Sequence, residues 1–242
     1  KAASLSLACR HSIAMLSAPL WWPEEMHLLA AQPGGIADGG EAVDLGQSPG
    51  DIVFASAADT ELACFSRAQV SLGGKAPSLR LANLMNLSHN LSVDNWLEAT
   101  VSGARLVIIR VLGGESYWPY GVERLTQLCR DKNIALALLP GDDKPDSELA
   151  WRATLPQEAC ERLWRYCIHG GLENAGECLR YGAELIGTPA AQAWREPAPL
   201  ARAGLYQPGA GQINLDEITV ERTRADQPLA LIIFYRALVQ AA

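Results

Sequence analysis

The residues best suited to acid–base or metal chemistry follow two predicted strands. His89 comes after the apolar run Leu79–Leu84, and Glu115 comes after the run Arg105–Leu112. An imidazole and a carboxylate can exchange a proton or bind a metal ion together. If the two strands are neighbours in a parallel sheet, both residues lie at its carboxyl edge, where open α/β sheets bind ligands. Alternatively, His89 caps the following helix, and Glu115 is solvated or interacts with a helix N-terminus.

Aromatic residues follow Glu115 directly. Trp118, Pro119 and Tyr120 could form a surface on which a flat macrocycle stacks. The commoner alternative is a packed lid over the edge of the sheet. The candidates for substrate binding are therefore His89, Glu115, Tyr117 and Trp118.

A second group of residues resembles a metal site in composition but not in spacing. Cys160, Cys167, His169 and Cys178 fall within one short stretch, with Gly170-Gly171 between them. Zinc ligands usually lie two to four residues apart within a pair, which is closer than these cysteines. We therefore predict buried helix cysteines and no metal site. None of the six cysteines forms a CxxC pair, which favours reduced thiols over a disulfide framework.

Several function classes are excluded by missing motifs and by charge. Gly73-Gly74-Lys75-Ala76 lacks the first glycine and the Ser/Thr of a P-loop, and no GxGxxG, GxSxG or HExxH motif is present. The net charge of −7, with no run of basic residues, disfavours nucleic acid. Lys1–Trp22 is apolar, but Arg10 and His11 interrupt it and it is too short to span a membrane.

The elements that must position these residues alternate between strand and helix. Helical spacing is visible over 59–72, and Pro119 is placed to open another helix. A further helix is expected from Val93 with Ser92 as its N-cap, and helices over 157–187 are expected to divide near Gly170-Gly171. Thr154 and Gln157 resemble a capping box. The strand candidates are five apolar runs: Met26–Ala31, Asp51–Ser56, Leu79–Leu84, Arg105–Leu112 and Ala135–Pro140.

This alternation predicts an α/β fold, with a doubly wound, mainly parallel sheet of about five strands in a flavodoxin-like arrangement. We expect residues 1–25 to be an extra segment before a natural start at Met26, and 26–188 to form the α/β domain. Residues 189–228 have the Pro/Gly-rich composition of a linker, and 229–242 are expected to begin a truncated second domain. The Gly-rich connection over 32–50 is either a functional loop or an ordinary surface loop.

Several strings resemble the N-terminal region of the large, tetrapyrrole-binding subunit of the aerobic cobaltochelatases, which is related to the large subunit of magnesium chelatase. They occur in consistent order from Met26 to the end of the chain. The most specific is Leu112-Gly113-Gly114 followed by Tyr117-Trp118-Pro119-Tyr120-Gly121. Others are Met26-His27-Leu28-Leu29, Ala42-Val43-Asp44-Leu45-Gly46-Gln47-Ser48-Pro49-Gly50-Asp51, His89-Asn90-Leu91-Ser92-Val93-Asp94, Leu139-Pro140-Gly141-Asp142-Asp143 and Phe234-Tyr235-Arg236-Ala237-Leu238-Val239-Gln240.

The resemblance implies a cytoplasmic enzyme of cobalamin synthesis, which inserts a cobalt ion into hydrogenobyrinic acid a,c-diamide. It also implies two partner subunits, one of them an AAA+ ATPase, which use ATP and Mg²⁺. Catalytic residues would lie beyond Ala242, and this part would hold no cofactor and be inactive alone. The competing interpretation is a non-catalytic α/β docking or binding module. A receiver domain is disfavoured because Gln32-Pro33-Gly34 follows the first predicted strand in place of an acidic pair.

Overall fold

The structure is a computed structural model that describes residues 40–188, 192–199, 201, 203–207, 211–213 and 232–235. The predicted extra segment 1–25 and the predicted strand Met26–Ala31 lie outside the described residues. So do 32–39 of the Gly-rich connection and much of the predicted linker. Of the apolar run Leu229–Tyr235, only 232–235 are described, and they have no regular secondary structure.

Four parallel strands form the central sheet of the described chain. They are β1 (Ile52–Ser56), β2 (Leu79–Asn83), β3 (Leu106–Val111) and β4 (Ala135–Pro140), in the order β2-β1-β3-β4. Ile52 aligns with both Leu79 and Leu106, so the strands start level. Every residue of β1 and β3 is buried, as expected for central strands covered on both faces. The predicted doubly wound α/β fold is confirmed, with four described strands.

Helices cover both faces of this sheet. They are α1 (Asp59–Leu72), α2 (Asn90–Ala99), α3 (Pro119–Asp131), α4 (Ser147–Arg152), α5 (Gln157–His169) and α6 (Gly171–Leu185). Because strand side chains alternate between faces, Val53 and Val107 pack in the cluster of α2 and α3. Ile52 and Ile108 pack in the opposite cluster, which α1, α5 and α6 complete. A two-stranded antiparallel ribbon, β5 (Leu205–Gln207) and β6 (Gly211–Ile213), follows.

Several helix boundaries agree with the sequence prediction. Helix α1 covers the predicted range and is followed by Gly73, whose φ of 66° lies in the left-handed region. Pro119 opens α3, where the missing N–H of proline costs nothing. The break between α5 and α6 falls at Gly170, as predicted.

Two predicted caps are wrong. Helix α2 begins at Asn90 and its N-cap is His89, so Ser92 lies inside the helix. The Thr154 side chain does not cap α5. Its hydroxyl accepts a hydrogen bond from the Leu136 N–H at 2.7 Å and donates one to the Ile134 carbonyl at 3.0 Å. Both hydrogen bonds of this hydroxyl are therefore made with the backbone at the start of β4, and none with α5.

Candidate functional site

A cleft of about 400 Å³ opens at the carboxyl ends of β1, β3 and β4. The chain leaves β1 towards β2 on one side and returns to β3 on the other, so this is the point where the strand order reverses. We call it the switch-point cleft. Polar and charged side chains line part of the cleft: Ser56, Thr60, Glu61, Arg110, Asp142 and Asp143. The rest of the lining includes the apolar residues Ala57, Phe65, Leu112, Ile168 and Ala175, together with Cys64, Tyr166 and Cys167.

Arg110 is the buried charge of the cleft. It is the fifth residue of β3 and only 8% exposed. One terminal nitrogen, Nη2, donates to the Gly141 carbonyl, and Nη1 lies 3.4 Å from Oε1 of Glu61. Neither Nε nor Nη1 has a hydrogen-bond acceptor. Burial opposes the charged form, but Cys167 and Glu61 outweigh it and raise the pKa of the guanidinium.

Glu61 is held in place from the first turn of α1. Its Oε2 accepts a hydrogen bond from the Ser56 hydroxyl at 2.6 Å, and that hydroxyl accepts one from the Ala58 N–H at 3.1 Å. Ala58 is the N-cap residue of α1 and has no side-chain oxygen to offer. Ser56 therefore fixes both the start of the helix and the carboxylate beside Arg110, leaving Oε1 directed towards the guanidinium.

The cysteines near this cleft, Cys64, Cys167 and Cys178, are buried. Burial raises the pKa of Cys64, and a hydrogen bond with Cys167, followed by burial, raises the pKa of Cys178. On other elements, burial raises the pKa of Cys129 to about 12 and that of Cys160 to about 11. The prediction of buried helix cysteines is confirmed for Cys160, Cys167 and Cys178. Within the described part of the chain, no group of three or more His, Cys, Asp and Glu side chains could hold a metal ion.

His89 and Glu115 occupy separate positions along the carboxyl edge. The strands that precede them, β2 and β3, are not neighbours, because β1 lies between them. The Nδ1 atom of His89 accepts the Leu91 N–H at 3.1 Å, which is a helix cap. Glu115 accepts two hydrogen bonds from Arg152 and forms an ion pair with it. The predicted His89–Glu115 pair required that the two preceding strands be neighbours in the sheet, and they are not.

The two aromatic candidates have different environments. Trp118 is 3% exposed, its indole N–H donates to the Leu87 carbonyl at 2.9 Å, and its ring packs 6.5 Å from that of Trp96. The interpretation of Trp118 as a stacking surface is wrong, because the ring is enclosed in the core. Tyr117 is partly exposed and its hydroxyl lies 3.5 Å from the sulfur of Met85. It remains a candidate for ligand contact.

The sequence reasoning missed Arg110 and Glu61. Each lies inside a strand or helix that was identified correctly, so neither was considered as a site residue. The available signal was Arg110 itself, the one charged residue within the continuous apolar run Leu106–Val111. A charge inside a strand that is buried on both faces requires a partner or a function.

The four parallel strands, the two helical layers and the switch-point cleft define a doubly wound α/β domain. A solved structure described as the catalytic subunit of cobaltochelatase from Mycobacterium tuberculosis matches 67% of the chain with a TM-score of 0.51. The match covers 12% of that subunit at 23% identity, so it concerns the fold alone.

Two curated relatives match most of the chain, and both are aerobic cobaltochelatase subunit CobN. The relative from Sinorhizobium sp is 45% identical over 223 residues, 89% of this chain. The relative from Pseudomonas aeruginosa is 40% identical over 222 residues, 90% of this chain. The chain spans 17% of the length of each relative. The resemblance to the large cobaltochelatase subunit is therefore confirmed.

No family model matches the chain. Among the described residues, none of the helices is long and apolar enough to cross a membrane.

Proposed function

We propose that this chain works as one part of a large cobaltochelatase subunit, which inserts cobalt into hydrogenobyrinic acid a,c-diamide during cobalamin synthesis. The observation that carries the proposal is the similarity to CobN, at 45% and 40% identity along nearly the whole chain. In the reaction, cobalt is a substrate, and the enzyme is a ligase that forms cobalt–nitrogen coordination bonds. The proposed location is the cytoplasm.

Within that enzyme, we assign this domain the role of a scaffold that borders the tetrapyrrole site. Insertion requires removal of water from Co²⁺ and of two protons from the ring, for which imidazoles and carboxylates are suited. The described residues contain no cluster of three or more metal-binding side chains. In this proposal the metal-handling residues lie in other parts of the subunit, and the carboxyl edge of this sheet faces the macrocycle.

The proposed energy source is ATP with Mg²⁺, hydrolysed by an AAA+ partner subunit that acts with a second small subunit. The absence of a P-loop motif from this sequence is consistent with that division of work.

The experiment is reconstitution of the full-length subunit with both partners, ATP and Co²⁺, followed by the visible absorption of the tetrapyrrole. A subunit lacking residues 26–188 should lose at least ten-fold in rate, and this chain alone with both partners should give no insertion. A deletion variant that folds and retains the full rate would refute the scaffold role, and turnover by this chain alone would refute the placement of the metal site.

A second function, docking of a partner subunit, is favoured by one surface feature. The Trp151 ring on α4 is 76% exposed, with the guanidinium of Arg130 5.6 Å from its centroid. Exposed Trp beside Arg is typical of the residues that dominate protein–protein binding. Gel filtration of the chain with each partner subunit should show co-elution that Trp151→Ala abolishes. Val70→Ala on α1, also at an exposed apolar residue, is the matched control. Absence of co-elution would rule out docking through this chain.

A further inference from the structure

The switch-point cleft contains hydrogen-bond donors that the protein itself does not satisfy. Arg110 is more than nine-tenths buried, and both Nε and Nη1 lack an acceptor while the residue lines the cleft. Leaving buried donors of a charged group without acceptors is costly, so such donors are normally paired with protein, water or a ligand. Both atoms have almost no solvent-accessible surface, so a ligand acceptor reaches them only by entering between Arg110 and Glu61.

The charge of the cleft argues against an anionic ligand. Glu61, Asp142 and Asp143 contribute three carboxylates against the single guanidinium of Arg110, which leaves a net charge of −2 at the lining. The first turn of α1 also carries Asp59 and Glu61, which offset the positive end of the helix dipole. A phosphate or carboxylate would meet repulsion from both walls, whereas a neutral acceptor would not.

Donor and acceptor lie side by side on the wall of the cleft. Nη1 of Arg110 is 3.4 Å from Oε1 of Glu61, while Oε2 of the same carboxylate is already bound by Ser56. A primary carboxamide has the complementary pattern, because its oxygen accepts from the guanidinium and its NH₂ group donates to a carboxylate. Phe65, Ala57 and Leu112 provide apolar lining for a short aliphatic stem.

We infer that the switch-point cleft binds a primary carboxamide on a short aliphatic stem, through Arg110 and Glu61, and that this group is an amidated side chain of the tetrapyrrole. The second half of the inference rests on the proposed function, whose substrate carries two such amides. At about 400 Å³ the cleft is near the lower end of the ~300–1,000 Å³ range of ligand pockets, so it accepts one side chain while the macrocycle remains outside.

The test uses the full chain, labelled with ¹⁵N and followed by NMR during titration with propionamide or, at equal ionic strength, sodium propionate. Propionamide should shift the Arg110 Nε resonance and backbone amides of 56–61 and 141–142, and propionate should bind at least ten-fold more weakly. Equal response to the two probes, or no response in the cleft, would overturn the carboxamide assignment.

Substitutions separate recognition from folding. Glu61→Gln removes the repelling charge and keeps an acceptor, so the preference for propionamide over propionate should fall at least three-fold. Arg110→Met alone leaves a partly buried carboxylate unpaired and can unfold the domain, so it is combined with Glu61→Gln. The folded double variant should lose binding of both probes. Retained binding would contradict the assignment, and Arg124→Met, at an exposed ion pair with Asp94, is the control.

The source of the amide is tested by competition. Hydrogenobyrinic acid a,c-diamide should displace propionamide from the cleft, and hydrogenobyrinic acid, without amides, should displace it at least ten-fold less well. Failure of the diamide to compete would overturn the tetrapyrrole as the source. The competition experiment does not test the proposed function. The deletion experiment on the full-length subunit tests that function, through the rate of cobalt insertion.

Discussion

At the scale of single residues, Trp118 shows how closely the core of this domain constrains its neighbours. The ring is buried against Trp96, and a hydrogen bond to the Leu87 carbonyl fixes its orientation. One turn of backbone later, Gly121 lies directly against it, and a Cβ built at this glycine would stand 1.9 Å from Cε2 of the indole. The aromatic motif that resembles the chelatase family is therefore a packing unit, in which the glycine makes room for the ring.

The Gly121→Ala substitution should lower the free energy of unfolding by about 1–3 kcal/mol, because an added methyl group forces the indole out of its packed position. Urea denaturation monitored by Trp fluorescence measures the change. Gly176→Ala in α6 is the control, since its Cβ would meet only Arg180, at 3.9 Å. It should be neutral or stabilising because Ala favours helix. Equal destabilisation by both substitutions would argue against the close Trp118 contact as the cause.

For His89, the structure favours capping over ligand binding. His89→Ala should lower stability by about 1 kcal/mol through loss of the cap on α2, whereas His89→Asn should restore it. That His89 also helps to hold the macrocycle stays a prediction. If it does, both the Ala and the Asn variant should bind the tetrapyrrole more weakly in the full-length subunit. Normal binding by the Asn variant would assign His89 to capping alone.

At the scale of elements, the start of the sheet is held by a side-chain clamp between two neighbouring strands. Asp51, just before β1, accepts hydrogen bonds from the hydroxyl and the N–H of Ser78, just before β2, at 2.6 and 2.9 Å. These hydrogen bonds hold the pKa of Asp51 below its usual value. The clamp links the residues that immediately precede two adjacent parallel strands, β1 and β2.

The clamp should give a pH-dependent contribution to stability. Because the pKa of Asp51 is lowered in the folded state, its contribution is present above the unfolded value of roughly 4 and is lost as pH falls through the folded pKa. The difference in urea midpoint between the wild-type chain and Ser78→Ala should therefore be largest near pH 7 and shrink below pH 4. A difference independent of pH would exclude the Asp51 carboxylate as its source. Ser71→Ala, at an exposed helix position, is the control.

The elements were predictable from sequence where local signals decide them. The buried run Leu106–Val111 and the helical spacing of 59–72 gave the correct strand and helix. Helix α4 was missed because its six residues are too few to show a period. The order of the strands in the sheet could not be predicted from the sequence, because it depends on which face of the sheet each helix covers. The pairing of His89 with Glu115 failed for that reason, and Arg110 was overlooked because only the assembled sheet shows that its donors lack acceptors.

At the scale of the whole molecule, both faces of the sheet are covered by helices within residues 40–188. A strap over 192–199 adds to one face, where Trp194 stacks edge-on against Tyr181 at 4.8 Å and Arg195 pairs with the buried Glu177. A chain trimmed to 40–199 should therefore unfold in a single cooperative transition, since helices cover both faces of the sheet within these residues. Coincident urea curves by circular dichroism and Trp fluorescence would show this. Separated curves would mean that residues outside 40–199 complete the core.

The position of β1 has a consequence for synthesis of the chain on the ribosome. Of the described strands, β1 is made first, but its partners at Leu79 and Leu106 are translated only later. Until β3 has left the exit tunnel, the apolar strand Ile52–Ser56 has at least one unpaired edge. Nascent chains paused between β2 and β3 should therefore be preferred clients of chaperones that bind extended apolar segments, and this preference should end once β4 has emerged.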